Sequence, residues 1–461
     1  MQQFTNLMTA IDTFLWGPPI LILLVGAGII LTTRLTGIQF RRLGYILKNT
    51  LGKMFDKSEI EEGGVSPFQA LSTALAATVG TGNIVGVSVA IITGGPGAVF
   101  WMWVAALLGM ATKFSEVTLA IAYRIRRADG QYAGGPMYYI DRGLKLPWLA
   151  KAFAFFAAVA TFGIGNSVQS NSISGVLKAN FGFNPVIVGI ILAVLTAIVV
   201  VGGIQSISKV TEKLVPLMAA LYIIGSLVVI VVHASAIPDA FASIFKGAFN
   251  IQSATGGAVG FTLMQTIRAG VSRGVFTNEA GLGSSPIAHA SATTDHPVRQ
   301  GIWGISEVFI DTIVICTMTA LVVLTSGVLG DSTDASTLVA EAFSRGFGPG
   351  RYIVTIGLTL FAFSTILGWE YYGETSARYF FGDKIAWPYR ILYIIMVFVG
   401  CTIDLGVAWT VANVLNGLMA IPNLIGVIGL SGVVLALSKD FFKDTRKRTG
   451  PEEYEHLLHR K

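Results

Sequence analysis

Two stretches of this 461-residue sequence hold residues that could bind a charged solute in an apolar setting. The first is Ala77-Thr-Val-Gly-Thr-Gly-Asn-Ile-Val-Gly-Val87, with glycines at Gly80, Gly82 and Gly86 and an amide at Asn83. The second is Arg273-Gly-Val-Phe-Thr-Asn-Glu-Ala-Gly-Leu-Gly-Ser284, where Arg273 and Glu279 put charge inside another apolar run. Glycine is about 1 kcal/mol worse than alanine in a helix interior, and Gly80 and Gly82 permit backbone angles that let a helix open. Opening frees N–H groups on one half and C=O groups on the other. Within a membrane such groups survive only where they line a cavity or bind something. Half-helix N-termini suit a carboxylate, and freed carbonyls suit a small hard cation. An amino-acid zwitterion together with Na+ meets both demands. For either stretch alone, a glycine kink serving close packing is the plainer reading. Gly80-x-Gly82 is no dinucleotide fingerprint, because the third glycine comes one residue late and no strand precedes it.

The elements that must position these residues are membrane spans. The sequence is 53% hydrophobic and 13% charged, against roughly 25% charged in soluble domains, and its mean hydropathy is +0.68. Cys316 and Cys401 both lie in apolar runs, which argues for packing rather than a disulfide framework or a metal cluster. Eleven apolar runs have the length of a span, near 15–33, 68–93, 97–123, 152–178, 185–203, 214–233, 255–290, 300–327, 351–378, 387–404 and 409–437. The first lacks a basic leader and a cleavage site, so it reads as a retained span. The net charge of +6 does not point to nucleic acid, because its basic residues sit in short loops between spans. Loop 34–67 carries six of them, loop 124–151 six and the tail from Lys439 seven, whereas the opposite loops carry only Lys178, Lys246, Arg345 and Arg351. The positive-inside rule then places the N-terminus outside and the C-terminus in the cytoplasm.

A shift of 201 residues superposes Gly80-x-Gly82-Asn83 on Gly281-x-Gly283-Ser284, and Pro96 on Pro297. Five spans separate the two units, so the second copy enters from the opposite side. The expected architecture is an all-α polytopic membrane protein with a five-plus-five inverted repeat and one extra N-terminal helix. Its parts are the extra helix at 1–36, a first repeat at 66–233, a second at 255–437 and a cytoplasmic tail at 438–461. Paired interrupted spans in such a repeat point to a transporter's binding site.

At these residues a family resemblance enters. "GGPGAVFWMWVAALLG" from Gly94 to Gly109, "RGVFTNEAGLGSSPIA", "ATVGTGNIVGV", "AIPNLIG" near Ala420 and "FLWGPP" at Phe14 resemble the sodium:alanine/glycine symporters. That family belongs to the amino acid–polyamine–organocation superfamily, which has the leucine-transporter fold. The resemblance implies sodium-coupled import of a small neutral amino acid across the plasma membrane (the inner membrane of a Gram-negative cell), with no organic cofactor. It implies that the amides of Thr81 and Gly82 receive the substrate carboxylate, and that Phe276, Thr277 and Asn278 border the ammonium end. Asn166 and Gln169 lie three apart and share a helix face; Gln169 is the better choice for touching substrate, and Trp369 would limit side-chain volume. The coupling ion would sit on carbonyls of Ala76, Val79 and Phe361 with the hydroxyls of Ser364 and Thr365. Five uncharged hard oxygens suit Na+ better than a divalent metal. Back-bonding of the two hydroxyls to the preceding turn is the plainer reading.

A second cation site would use Thr78 and Asn83, with Asp311 as a further candidate; this carboxylate near mid-span is functional by default, its partner being a cation, the substrate ammonium or a base such as Arg268. Arg273 and Glu279 would pair with each other or form a gate, and Arg268 would snorkel or pair. Lys113 and Glu116, at i and i+3, read as a structural pair, and Glu370 with Glu374 as gate or surface charges. Proton coupling is the rival to sodium, but Leu214 to His233 contains no lysine to stand in for the cation. A passive channel would need a run of filter carbonyls or a charged ring, and a membrane-embedded enzyme an HExxH or GxSxG motif. The sequence has no such run and no HExxH, and its one GxSxG match, Gly270-Val-Ser-Arg-Gly274, falls inside an apolar span rather than after a strand.

Overall fold

The first interrupted span begins at a serine that satisfies its own helix terminus. Ser66 accepts the Gln69 amide at 3.0 Å while the Gln69 side chain accepts the Ser66 amide at 3.0 Å. Thr262 and Gln265 repeat this reciprocal cap at the start of the second interrupted span, so two otherwise orphaned donors are paired at each entry.

The computed structural model describes residues 2–54, 60–249, 262–329, 335–403, 406–445 and 451–458. It is helical apart from a small hairpin, Ile125–Arg126 paired with Tyr132–Ala133. Besides the peripheral helices Ile237–Phe249 and Ala335–Gly346, the bundle is built from α1 (Gln2–Leu15), α2 (Pro18–Arg34), α3 (Pro67–Thr78), α4 (Val87–Gly94), α5 (Ala98–Ala122), α6 (Pro147–Ala160), α7 (Val168–Phe181), α8 (Pro185–Val200) and α9 (Gly203–Val232). Next come α10 (Leu263–Asn278), the one-turn α11 (Pro286–His289), α12 (Pro297–Val308) and α13 (Thr317–Thr325). The last four are α14 (Gly350–Phe381), α15 (Ala386–Thr402), α16 (Gly406–Gly429) and α17 (Ser431–Phe441). Wide π turns interrupt three spans, at Gly82–Gly86, Thr161–Ser167 and Phe309–Cys316, and such turns recur at functional positions.

Among the described residues eight helices are long and apolar enough to cross a membrane, and α3 with the Gly82–Gly94 helix makes a ninth, bent by 56°. Two of the eleven expected spans fall short of that measure. The helix at 185–203 is only Pro185–Val200. The run at 255–290 starts in residues outside the described ones and stops being helical after Asn278.

The spans form two groups. α5 packs along α10 and α12, and α4 lies on α10; α14 packs against α3, α6, α7 and α9, and α8 against α15. The interrupted spans lie where the groups meet. α16 closes one side, packed on α1, α2 and α6.

Just before α12, His296 caps the helix, its Nδ1 accepting the Val298 amide at 3.1 Å, with its ring against Phe441 and Tyr454. Burial pushes this imidazole down to about 4 from 6.5, against the pull of Asp440. Below 6.5 the unfolded chain binds a proton that the folded cap excludes, so stability falls as pH drops from about 6.5 to about 4. The Tm of the purified protein should decline over that window, and His296→Asn, which keeps a capping acceptor, should flatten the decline.

Candidate functional site

At the first break α3 ends at Thr78, Val79 is extended with φ −78° and ψ 93°, and helix resumes at Gly82. Asn83 holds this opening. Its Oδ1 accepts the Gly80 amide at 2.9 Å, and its Nδ2 donates to Asp311 Oδ1 at 2.7 Å and to the Asp311 carbonyl at 3.2 Å. Thr319 Oγ1 donates to the Asn83 carbonyl at 2.8 Å. One amide side chain therefore ties the break to the π turn that carries Asp311. Asp311 is fully buried and also accepts from Thr312 Oγ1 at 2.8 Å. None of the ion pairs among the described residues includes it, so neither Arg268 nor another base is its partner there. Asn83 and Asp311 are thus brought together; Thr78 ends the helix one turn before them, buried.

On the other side of the break, Ser364 Oγ lies 3.1 Å from the Ala76 carbonyl and 2.9 Å from the Phe361 carbonyl, and Thr365 Oγ1 lies 2.9 Å from the Phe361 carbonyl. Ala76, Phe361, Ser364 and Thr365 are in one place, with Val79 buried at the adjoining helix end. Both hydroxyls back-bond to the preceding turn. Back-bonding uses the hydroxyl proton and leaves oxygen lone pairs that can face a cation. Thr365 Oγ1 also closes on the break, 2.7 Å from where a Cβ on Gly80 would stand.

The second break starts two residues before Gly281. α10 runs through Asn278, so Phe276, Thr277 and Asn278 are helical, and the chain turns at Glu279, a non-glycine residue in the left-handed region at φ 55°. Gly281 and Gly283 follow at φ +94° and +81°, angles that a side chain would strain. The amides that would close onto Phe276 and Thr277 are directed elsewhere: Ala280 N to Asn278 Oδ1 at 3.0 Å, and Gly281 N to Glu116 Oε1 at 3.1 Å.

Two pairings expected from spacing are replaced. Glu279 accepts from Ser284 rather than from Arg273, whose guanidinium lies 6.0 Å from the Phe276 ring centre. Lys113 pairs with Glu307 at 3.4 Å and donates to Ser285, while Glu116 braces Gly281 and Asn423. Glu307 also meets His289 at 3.0 Å, and His289 meets Gln300 at 2.8 Å. This buried network pins α11 to α12 and α5. Glu307, His289 and Asn423 escaped the sequence reading, although Glu307, a carboxylate one turn before Asp311, carries the same mid-span signal.

The two breaks face each other. A Cβ on Gly82 would meet Thr277 Cγ2 at 3.0 Å and Phe276 Cδ1 at 3.4 Å. Thr81 is buried at the head of the Gly82–Gly86 turn. Gln169, anchored by Nε2 to the Ile164 carbonyl at 3.0 Å, leaves its buried Oε1 without a partner, 3.8 Å from the position of a Gly80 Cβ. Trp369 is buried against Gly165 in the Thr161–Ser167 turn. Asn166 donates to the Tyr393 carbonyl at 2.8 Å and Asn278 to Thr312 Oγ1 at 3.0 Å, so both amides are held by neighbouring helices. On the side of the loops rich in basic residues, Glu374 pairs with Arg390 and Arg378, and Glu370 is buried beside it.

Interrupted helices facing each other inside an apolar bundle define a polytopic membrane transporter. The architecture is similar to a Na+-coupled sialic acid symporter solved in a substrate-bound, outward-open state, with a TM-score of 0.55 over 96% of each chain at 12% identity, a likeness of fold. Residues 1–455 match the sodium:alanine symporter family, and the chain belongs to that family of transporters, which are not enzymes. It is 50% identical to the sodium/alanine symporter AgcS of Methanococcus maripaludis over 95% of this chain and 97% of that one. It is 38% identical to the amino-acid carrier protein AlsT of Bacillus subtilis, over 98% and 95%.

The brace at the second break is testable. Glu116→Ala leaves the Gly281 amide without its acceptor and takes from Asn423 Nδ2 one of its two acceptors, the other being the Gly281 carbonyl at 2.8 Å, at about 1–3 kcal/mol for each unpaired donor. A fall of several degrees in Tm is expected, and Glu116→Gln, which keeps an acceptor oxygen, should recover most of it.

Proposed function

We propose that this protein imports a small neutral amino acid, alanine or glycine, together with Na+ by alternating access. It would work in the plasma membrane as an eleven-span, five-plus-five inverted repeat with its N-terminus outside and its C-terminus cytoplasmic. The observation that carries this reading is the apposition of the two breaks, with Gly82 against Phe276 and Thr277 on one side and Ser364 bonded to Ala76 on the other. The substrate carboxylate takes the Thr81 and Gly82 amides, and the ammonium takes the carbonyls of Phe276 and Thr277, whose usual amide partners are diverted. Gln169 Oε1 offers a further acceptor to that ammonium. Trp369 bounds the side chain, and Asn166 and Asn278 act by holding the walls. A relative of this identity named for sodium and alanine supports the choice of cargo and ion.

Na+ sits on Ala76, Val79, Phe361, Ser364 and Thr365, bridging α3 to α14. A second Na+ takes Thr78, Asn83 and Asp311, where a buried carboxylate without a basic partner needs a cation nearby. Binding at both places fixes the angle between the halves of the first broken span, so ion and substrate stabilise the same closed arrangement. That shared stabilisation is the coupling free energy. Among the described residues each broken span is interrupted over only a few residues, too short for a channel's run of filter carbonyls, which favours a carrier over a channel.

Thr365→Ala should weaken sodium dependence, and Gln169→Ala should mainly weaken substrate affinity. Each lost contact costs about 1–2 kcal/mol, or roughly a five- to thirtyfold change. Sodium-gradient-driven uptake of labelled alanine into proteoliposomes reads both effects. Uptake unchanged in both variants would remove the site assignment.

A further inference from the structure

Beyond Phe276 the structure holds a cavity of about 320 Å³. α1 lines it with Asp12, the turn after α1 with Trp16, α10 with Arg268, Arg273 and Phe276, and α16 with Asn413. Asn413 Nδ2 donates to Asp12 Oδ1 at 2.6 Å, and Trp16 Nε1 donates to the Asn413 carbonyl at 3.1 Å, which orients the carboxylate. Asp12 lies within electrostatic reach of both guanidiniums, yet none of the ion pairs among the described residues joins it to either. Opposite charges thus stand on facing walls with space between them. Trp16 meets Phe276 edge-on, ring centres 6.5 Å apart, and the other edge of Phe276 faces Gly82. One aromatic ring is both the floor of this cavity and the roof of the break.

We propose that the cavity is a second, outer binding site for the amino-acid substrate, with its carboxylate on Arg273 and its ammonium on Asp12. The proposal rests on the amino-acid reading above. A cavity of this volume holds about ten waters at ~30 Å³ each, so a small zwitterion fits with part of its hydration. Movement of Phe276 then passes the cargo to the amides of Thr81 and Gly82. α1, which lies outside both five-helix units, gains a role in cargo capture.

The test is sodium-driven uptake of labelled alanine into proteoliposomes by wild-type, Asp12→Asn, Arg273→Gln and Arg273→Lys proteins at matched reconstitution. Asp12→Asn and Arg273→Gln should each raise KM about tenfold with the maximal rate within about twofold, while Arg273→Lys stays near wild type. An unchanged KM in the first two variants overturns the proposal. So does a lower maximal rate at constant KM, the signature of charges that only open and shut the mouth. Wild-type protein that takes up neither labelled alanine nor labelled glycine sinks the amino-acid reading as well, whereas wild-type uptake with unaltered variants sinks the outer site alone.

Discussion

Backbone groups released inside a membrane must find partners, and this constraint organises the protein. A helix broken in hydrocarbon exposes donors and acceptors that water cannot reach, each costing several kcal/mol if left bare. At the first break Asn83 takes the Gly80 amide; at the second, Asn278 and Glu116 take those of Ala280 and Gly281. These side chains satisfy part of what the breaks release. The carbonyls of Phe276 and Thr277 are left without the amides of Ala280 and Gly281. Polar atoms held without a full set of partners are the raw material of a binding site.

The two breaks solve this problem differently. The first is small and held by an uncharged amide, with one carboxylate, Asp311, behind it. The second is a longer excursion underpinned by Lys113, Glu116, Glu307 and His289, all buried. Removing one partner of a buried ion pair is strongly destabilising, whereas the intact pair adds little net stability. Such a network therefore acts chiefly to fix the position of α11 against α5 and α12. A first break tied by one amide against a second braced by a charged network is the asymmetry that results.

The first break was legible because its signal is local: three glycines and an asparagine within one apolar run work against a continuous helix. Ser364 with Ala76 was legible through family resemblance, and spacing alone would have left the hydroxyls as back-bonded serine and threonine. The start of the second break was not legible, since Glu279 takes the left-handed turn that sequence would assign to Gly281. The partner of Lys113 was also missed. Local spacing offered Glu116 three residues on, but the tight packing of α5 along α12 brings Glu307 within reach. Contacts of that range depend on which faces of two helices meet, and periodicity does not specify the choice.

The 56° bend gives the two halves of the first broken span different allegiances. The half before Val79 is packed on α9 and α14, and the half after Gly82 on α10. A rigid rod would transmit any tilt along its whole length, but here each half follows its own neighbours and the three residues between them act as a universal joint. An ion lodged at that joint, as proposed, would be a pin through it. Its departure would free one arm to swing while the other stayed seated, and the energy stored in an ion gradient would become leverage at a single point in the chain.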